Sequence, residues 1–415
     1  MRVLLINTSE RTGGASIAAV RLLRALNRNG VDAEMLVRDK LTDNPRIHAL
    51  PGAALSRLKF VAERAEIFVR NGFSRQSLFS IDTGSFGTDI TSLPAFKRAD
   101  IIHLHWVNQG MLSLSDLRRI FKSGKKVVWT LHDLWLCTGI CHAPAACDRW
   151  QAGCGYCPLL PNGGSEKDLS YSVFRKKQAL LHSSDVKLVA CSNWLADLAA
   201  RSPLLEGRHV ESIPNPIDTS FYNPAPREVL RKRLGLPEEK KVLLFVAYKA
   251  TDELKGIQYL RQSLEKLCTD NPALRQGLCL IIIGREATTL KDTFPIEVLP
   301  VEYTADANVM ADYYRVANVL VMPTLIDNLP NTIVEAMSCG TPCVAFRVGG
   351  VPQMIDHGAN GYLARLKDIE DFGFGLLHIL YNDRYEAICR SAREKAVYTY
   401  SEQAVTERYL QIYQS

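Results

Sequence analysis

Short apolar runs alternate with amphipathic stretches along the whole chain. In the first half, runs typical of buried strands occupy residues 3–6, 33–37, 101–104, 127–130 and 188–191. A loop containing Gly13 and Gly14 follows the first run and leads into a helical pattern over 16–27. Strand, glycine loop, helix and strand form a βαβ unit, which predicts a parallel sheet.

A second series of the same kind begins near residue 242. Its predicted strands are 242–246, 278–283, 319–322 and 343–346, with helical patterns between them. A stretch rich in proline and charge, 213–241, separates the two series. A chain of 415 residues is too long for one hydrophobic core, so two domains are expected.

The predicted division is an N-terminal Rossmann-like domain, 1–222, and a C-terminal Rossmann-like domain, 223–399. A cysteine-rich insertion, 137–158, belongs to the first domain, and a final helix, 400–415, is predicted to pack back onto it. The fold class is α/β, and two doubly wound domains in tandem are expected to enclose a cleft lined by strand ends.

Amino-acid composition restricts the classes of function that this protein can have. Hydrophobic residues make up 47% and charged residues 23%, as in globular proteins, and the net charge is +6. No zinc-finger, RNP or helix-turn-helix pattern accompanies that charge, so a nucleic-acid partner is not expected. The apolar run at the N-terminus is too short for a signal-peptide core, so the protein is predicted to be cytoplasmic.

Two acids in the second half form the most informative pattern. Asp327 lies in a predicted loop after a strand, and Glu335 lies in the first turns of the following helix. A carboxylate there can accept paired hydrogen bonds from sugar hydroxyls, while free helix amides meet phosphate. The pattern alone equally fits a turn aspartate and a glutamate that favours the helix N-terminus.

This segment resembles the acid-x7-acid motif of the retaining glycosyltransferases of family four, which have the GT-B fold. Thr130-Leu131-His132-Asp133 looks like the histidine motif of that family. Residues 213–218, Ile-Pro-Asn-Pro-Ile-Asp, resemble its hinge segment, and Gly349-Gly350-Val351-Pro352 resembles its last loop. The order and spacing of these motifs together make the resemblance specific.

The resemblance implies a catalytic role for His132, Lys255 and Asp327. Lys255 would neutralise the diphosphate of the leaving group, His132 would lie over the donor sugar, and Glu335 would hold the donor ribose. The other residues implied in donor binding are Gly13, Gly14, Lys249, Asn328, Leu329, Asn331 and Thr332. Several of these residues also have a structural alternative. Lys255 could be a solvated lysine, His132 could cap the strand end, and Gly13 and Gly14 could be plain turn glycines.

The implied reaction moves a sugar from a UDP or GDP sugar to a saccharide or lipid-linked acceptor, with retention and without a metal. Surface polysaccharide synthesis is the expected context. Three positions depart from the family pattern: Asp327 replaces a glutamate, Lys249 stands in the segment where an arginine is usual, and Gln353 replaces a glutamate. Two alternatives therefore stay open, namely a nucleotide-sugar epimerase or hydrolase, and a catalytically silent binding partner.

Four cysteines, Cys141, Cys147, Cys154 and Cys157, cluster within the insertion. Two of them form a Cys-x2-Cys turn with a glycine, which resembles a zinc knuckle, so a structural zinc is a hypothesis. The alternative is a set of free thiols. His103 and His105 share one face of a strand end and are interpreted as structural.

The stretch 55–73 predicts an amphipathic helix. Leu58, Val61 and Val69 share one face of it, with Ala62, Ala65 and Phe68, and arginines are interspersed. Such a helix could lie on an anionic membrane as a peripheral contact. The alternative is a helix that packs its apolar face on its own sheet.

Overall fold

The computed structural model describes residues 1–144 and 146–415. Ala145, inside the predicted 137–158 insertion, lies outside the described residues. The chain forms two compact units. The first comprises Met1–Pro216 with Val405–Ser415, and the second comprises Ile217–Ala404. The predicted boundary at 222/223 lies a few residues beyond the observed one.

The first unit contains a seven-stranded parallel sheet of order β3-β2-β1-β4-β5-β6-β7. Its strands are β1 Arg2–Ser9, β2 Asp32–Asp39, β3 Ile47–Ala49, β4 Ile101–Leu104, β5 Lys126–Leu131, β6 Lys187–Ala190 and β7 Val210–Ser212.

The second unit contains a six-stranded parallel sheet of order β10-β9-β8-β11-β12-β13. Its strands are β8 Lys241–Lys249, β9 Leu278–Arg285, β10 Glu297–Val301, β11 Val319–Met322, β12 Cys343–Phe346 and β13 Gly361–Ala364.

Helices connect successive strands. They are α1 Gly14–Arg28, α2 Ala53–Arg70, α3 Pro94–Arg98, α4 Leu114–Phe121, α5 Leu169–His182, α6 Asn193–Ala200, α7 Arg227–Arg233, α8 Ile257–Asp270, α9 Leu274–Gly277, α10 Ala307–Val316, α11 Asn331–Ser338, α12 Val351–Met354, α13 Ile369–Leu380, α14 Tyr385–Tyr400 and α15 Glu402–Gln414. Across the described ranges 1–144 and 146–415, every helix is too short or too polar to span a membrane.

The central strands β4, β11 and β12 are apolar except for His103 in β4. Every residue of β4, β11 and β12 is buried. Helices cover both faces of such parallel sheets, so both faces need apolar side chains. This is why unbroken apolar runs predicted the inner strands correctly.

The last helix, α15, supplies part of the core of the first unit. Val405, Tyr409 and Tyr413 are buried in the same cluster as Val3 and Leu5 of β1. The Tyr413 hydroxyl lies 2.7 Å from Nδ1 of His103, and the Tyr409 hydroxyl lies 2.9 Å from Oγ1 of Thr130. The end of the chain is therefore tied to the ends of strands β4 and β5.

Candidate active site

In the second unit, the loop after β11 carries the predicted acidic motif. It runs through residues 323–330 into α11, whose N-cap is Pro330. Parallel strands place their carboxyl ends at one edge of the sheet, where ligands bind in folds of this class. The amides at the start of α11 open towards that edge and favour an anion.

Lys255 reaches this loop from a different part of the sequence. Its Nζ lies 2.9 Å from Oδ2 of Asp327, and both side chains are only partly exposed, at 34% and 20%. The main chain supports this approach, because the amide of Leu325 donates to the carbonyl oxygen of Leu254 over 2.9 Å. The predicted cation and the first predicted acid are thus in contact.

Two glycines make this packing possible. Gly256 has φ +73°, and a Cβ there would lie 1.9 Å from the carbonyl oxygen of Pro323. Gly349 has φ +53°, and a Cβ there would lie 1.8 Å from the carbonyl oxygen of Asp327. Any larger residue would push the 323–330 loop away at both points.

Glu335 lies on the buried side of α11 and is 8% exposed. Its Oε2 accepts a hydrogen bond of 2.6 Å from the hydroxyl of Tyr314, which is fully buried in α10. The sequence analysis did not identify Tyr314. No local sequence pattern identifies Tyr314, because its contact with Glu335 joins α10, which precedes β11 in sequence, to α11, which follows it.

The remaining motif residues occupy the loop and the first turn of α11. Leu329 is buried, whereas Asn328, Asn331 and Thr332 are partly exposed. The Thr332 hydroxyl lies 3.8 Å from the sulfur of Met322, at the end of β11. These positions place polar side chains beside the amides of the helix N-terminus.

Lys249, at the end of β8, makes a different contact. Its Nζ lies 3.1 Å from Oε1 of Glu286, and both side chains are about half exposed. The neighbouring Tyr248 is exposed and lies under the guanidinium of Arg285, 4.6 Å from the ring centre. Whether Lys249 replaces the usual arginine towards a diphosphate stays a prediction.

In the first unit, Gly13 is the N-cap of α1 and Gly14 is the first residue of that helix. Gly13 has φ +87°, a backbone conformation that favours glycine. No heavy atom lies within 4 Å of a Cβ built at either glycine, so the space beside this turn is open. The predicted approach of a ligand to these amides has the necessary room.

His132 directly follows β5 and is partly exposed. Its Nε2 lies 3.0 Å from Nδ1 of His105, which directly follows β4. Burial lowers the pKa of His132 to about 4, although Asp133 partly opposes this shift. His132 is therefore neutral near pH 7, and its role towards a donor sugar stays a prediction.

The two strand-end histidines that the sequence analysis interpreted as structural differ from each other. His103 lies between the hydroxyls of Tyr413 and Thr130, so it ties strands to α15. His105 contacts His132 and thereby belongs to the candidate site. Nothing in the local sequence distinguishes them, because both face the same side of the strand end.

A buried polar network leads away from the next residue, Asp133. Its carboxylate accepts hydrogen bonds from Nε1 of Trp106 and Nδ1 of His142, each over 2.8 Å. His142 also lies 3.6 Å from Asp82, which pairs with Arg64 of α2 at 3.0 Å. Burial alone would lower the pKa of His142, but the two aspartates raise it to about 9.

The four clustered cysteines line one cavity of about 20 Å³ together with Ser170 of α5. The backbone amide of Gly139 donates to the sulfur of Cys154 over 3.2 Å. Burial raises the pKa of the Cys141 thiol to about 11, so the described state is a thiol. Outside residue 145, no three or more ligand-type side chains are arranged to hold a metal ion. Zinc binding stays a prediction, for which metal analysis of protein purified without a chelator is the test.

Two family models match the chain. A model described as "Glycosyltransferase Family 4" matches residues 12–221, and one described as "Glycosyl transferases group 1" matches residues 240–382. The first match alone covers about half of the chain.

Two curated relatives show how far the likeness extends. The chain is 32% identical over 173 residues to a D-inositol 3-phosphate glycosyltransferase of Thermobifida fusca, a match that covers 39% of each chain. It is 24% identical over 414 residues to the protein of the same name from Saccharomonospora viridis, covering 97% of this chain and 89% of the relative.

The fold also matches a solved structure. Anabaena Alr3699/HepE, crystallised in complex with UDP, superposes with a TM-score of 0.63 at 15% identity, covering 100% of both chains. At this identity the likeness concerns the fold alone, and it confirms the predicted α/β class with GT-B architecture.

Proposed function

Because this chain belongs to glycosyltransferase family 4, we propose that it transfers a sugar from a nucleotide diphosphate sugar to a saccharide or lipid-linked acceptor. We propose further that the reaction retains the anomeric configuration, needs no metal, and serves surface polysaccharide synthesis. The observation that carries this proposal is the contact of Lys255 with Asp327 beside the N-terminus of α11.

A diphosphate suits this arrangement. The ammonium group of Lys255 is partly exposed and stands next to a helix N-terminus, so two sources of positive potential converge. In the absence of donor, Asp327 neutralises the ammonium group. When a diphosphate binds, Lys255 would turn towards it, and Asp327 would become available to the hydroxyls of the transferred sugar.

The stabilisation by Lys255 would grow during the reaction. As the bond between sugar and diphosphate breaks, negative charge accumulates on the leaving oxygen. A cation held in position before the reaction stabilises that charge without further rearrangement, which is usually the largest catalytic effect. Lys255 is therefore proposed to act mainly on turnover.

Glu335 would bind the ribose of the donor. Its carboxylate is oriented by the buried Tyr314 hydroxyl, and a carboxylate can accept up to about four hydrogen bonds. Hydroxyls of the ribose can therefore be accepted beside that of Tyr314. Binding of UDP by HepE makes a UDP sugar the first donor to test.

A donor panel tests the function. The full chain is incubated with UDP and GDP sugars, with and without saccharide acceptors, and released nucleotide is measured in the presence and absence of EDTA. The expected result is release that depends on acceptor and is insensitive to EDTA, with a product of unchanged anomeric configuration by NMR.

Other outcomes contradict the proposal in different ways. Equal release without acceptor indicates a hydrolase. Donor binding without release under any condition indicates a silent binding partner. An inverted product, or loss of activity with EDTA, refutes the proposed mechanism.

A further inference from the structure

Helix α2 is oriented with its apolar face outward. Its buried residues are Ser56, Glu63, Arg64 and Ile67. By contrast, the side chains of Leu58, Val61 and Val69 are exposed, at 62%, 51% and 54%. The alternative that this apolar face packs on the sheet of its own domain is therefore wrong.

Buried polar contacts hold the helix in this orientation. The Glu63 carboxylate is fully buried and accepts a hydrogen bond of 2.9 Å from the amide of Gly84. Arg64 pairs with Asp82 at 3.0 Å and donates to the carbonyl oxygen of Leu78 over 2.6 Å. Rotating the helix to bury its apolar face would leave the charge of Arg64 and the carboxyl group of Glu63 without their partners, which is strongly unfavourable.

The exposed apolar residues continue beyond the helix. Phe73 and Phe79 are 69% and 63% exposed, and the ring of Phe73 contacts that of Phe68 edge to face at 5.7 Å. The α2 apolar surface is defined as Leu55, Leu58, Val61 and Val69 of the helix together with Phe73, whereas the ring of Phe79 lies 5.8 Å from the guanidinium of the buried Arg64. Contiguous exposed apolar groups of this kind mark interaction sites.

The charges around this surface are basic. Arg57, Arg70 and Arg75 are exposed in the same segment. Of its two acids, Glu63 is buried and Glu66 pairs with Arg70 at 3.1 Å, so Arg57 and Arg75 carry the net positive charge of the exposed side.

We propose that the α2 apolar surface docks on the anionic surface of a phospholipid membrane, with its apolar side chains in the headgroup region and its arginines on lipid phosphates. The basic rim favours this occupant over a second copy of the chain, because pairing two such surfaces would bring like charges together. This inference rests on the proposed function and narrows its acceptor to the lipid-linked class, which a membrane surface would present.

The proposed docking helix, α2, is also connected to the candidate site. Arg64 contacts Asp82, Asp82 contacts His142, and His142 contacts Asp133 next to His132. Docking therefore takes place on an element that is joined by buried polar contacts to the loop after β5.

Vesicle flotation of the full chain tests the proposal, with phosphatidylcholine vesicles that either contain or lack phosphatidylglycerol. Wild-type protein is expected to float with the anionic vesicles. The Leu58→Glu/Val61→Glu variant is expected to lose about tenfold or more of its affinity. The matched control is Val397→Glu/Tyr398→Glu on α14, where the side chains are also exposed and no loss is expected.

A second variant, Arg57→Glu/Arg75→Glu, separates charge from apolar insertion and should abolish the preference for phosphatidylglycerol. Circular dichroism checks that each variant is folded. The proposal is overturned if wild type does not bind anionic vesicles or if Leu58→Glu/Val61→Glu binds as wild type does. It is equally overturned if Leu58→Glu/Val61→Glu differs from wild type only in its sedimentation mass, because the surface would then pair with a second copy of the chain. UDP binding by calorimetry on the same samples reports on the proposed function separately.

Discussion

The carboxylate of Glu335 accepts a hydrogen bond of 2.6 Å from the buried hydroxyl of Tyr314. If Glu335 binds the donor ribose, Glu335→Ala removes at least one charge-assisted hydrogen bond. Donor affinity should fall by about 1.5–3 kcal/mol, on the order of 10- to 150-fold. Calorimetric titration with donor measures this, and equal affinities of wild type and variant contradict the assignment.

Tyr314→Phe is the matched control at this site. It removes only the hydroxyl that orients the carboxylate and leaves the carboxylate in place. The expected loss of donor affinity is smaller, about two- to tenfold. A loss as large as that of Glu335→Ala would indicate that the hydroxyl itself contacts the donor.

Two lysines near strand ends differ in their predicted effect. Lys255→Ala should lower kcat on the order of 100- to 1,000-fold, because it removes the cation proposed to stabilise the leaving group. Lys249→Ala breaks a half-exposed pair with Glu286, which contributes little, so a small change is expected. Steady-state kinetics with varied donor compare the two. Loss of kcat in Lys249→Ala as large as in Lys255→Ala would place Lys249 on the diphosphate.

At the scale of elements, Gly256 packs the segment before α8 against the loop 323–330 after β11. Gly256→Ala would bring a Cβ to 1.9 Å from a carbonyl oxygen, whereas Gly235→Ala, also at positive φ, meets nothing within 4 Å. The control should lose about 1–2 kcal/mol of unfolding free energy and Gly256→Ala about 2–5 kcal/mol. Urea unfolding measures both, and equal losses would show that the loops separate easily at this contact.

The polar network between α2 and the loop after β5 predicts a dependence of stability on pH. The folded protein raises the pKa of His142 to about 9 from 6.5, so its contribution is complete below pH 6.5 and is lost as pH rises towards 9. Burial, reinforced by Asp82, raises the pKa of Glu63 to about 8, and this acts in the same direction. The contribution of His142 to the free energy of unfolding should therefore fall by up to about 3 kcal/mol from pH 6.5 to 9, while Lys177, whose pKa burial lowers to about 7, opposes that fall in the total.

The His142→Asn variant should show a smaller fall over this range than wild type. His209→Asn is the matched control, because His209 is 83% exposed and pairs only with Glu211 at 2.9 Å. Denaturant unfolding at several pH values gives the comparison. If the free energies of unfolding of wild type and His142→Asn changed with pH in parallel, the polar network would be refuted as the source of the pH dependence.

At the scale of the whole molecule, each unit has its own sheet and core, and the proposed donor contacts lie in the second. UDP at about 100 times its dissociation constant should stabilise the folded protein by about 2.7 kcal/mol. Hydrogen exchange should slow in residues 323–330 and in α11. It should not change in α7, which precedes the first strand of that unit and carries none of the predicted donor residues. Equal slowing of hydrogen exchange in α7 and α11, or no slowing in either, would contradict the proposed donor site.

The sequence alone determined the inner strands, the two-unit organisation and the return of the last helix, because these depend on local apolar runs and spacing. It did not predict β3, β7, β10 or β13. These strands lie at or near the sheet edges, and β10 is interrupted by Pro300. The strands β3, β7 and β10 carry a weak apolar pattern because they are buried less completely, whereas β13 is fully buried but spans only the four residues Gly361–Ala364.

Only the tertiary structure decided which side chains meet. The pairing of Lys255 with Asp327 and the bond of Glu335 with Tyr314 join residues far apart in sequence, so no local pattern encodes them. The orientation of α2 is decided in the same way. Helical periodicity shows that its apolar residues share a face, but the partners of Glu63 and Arg64 determine that this face points outward.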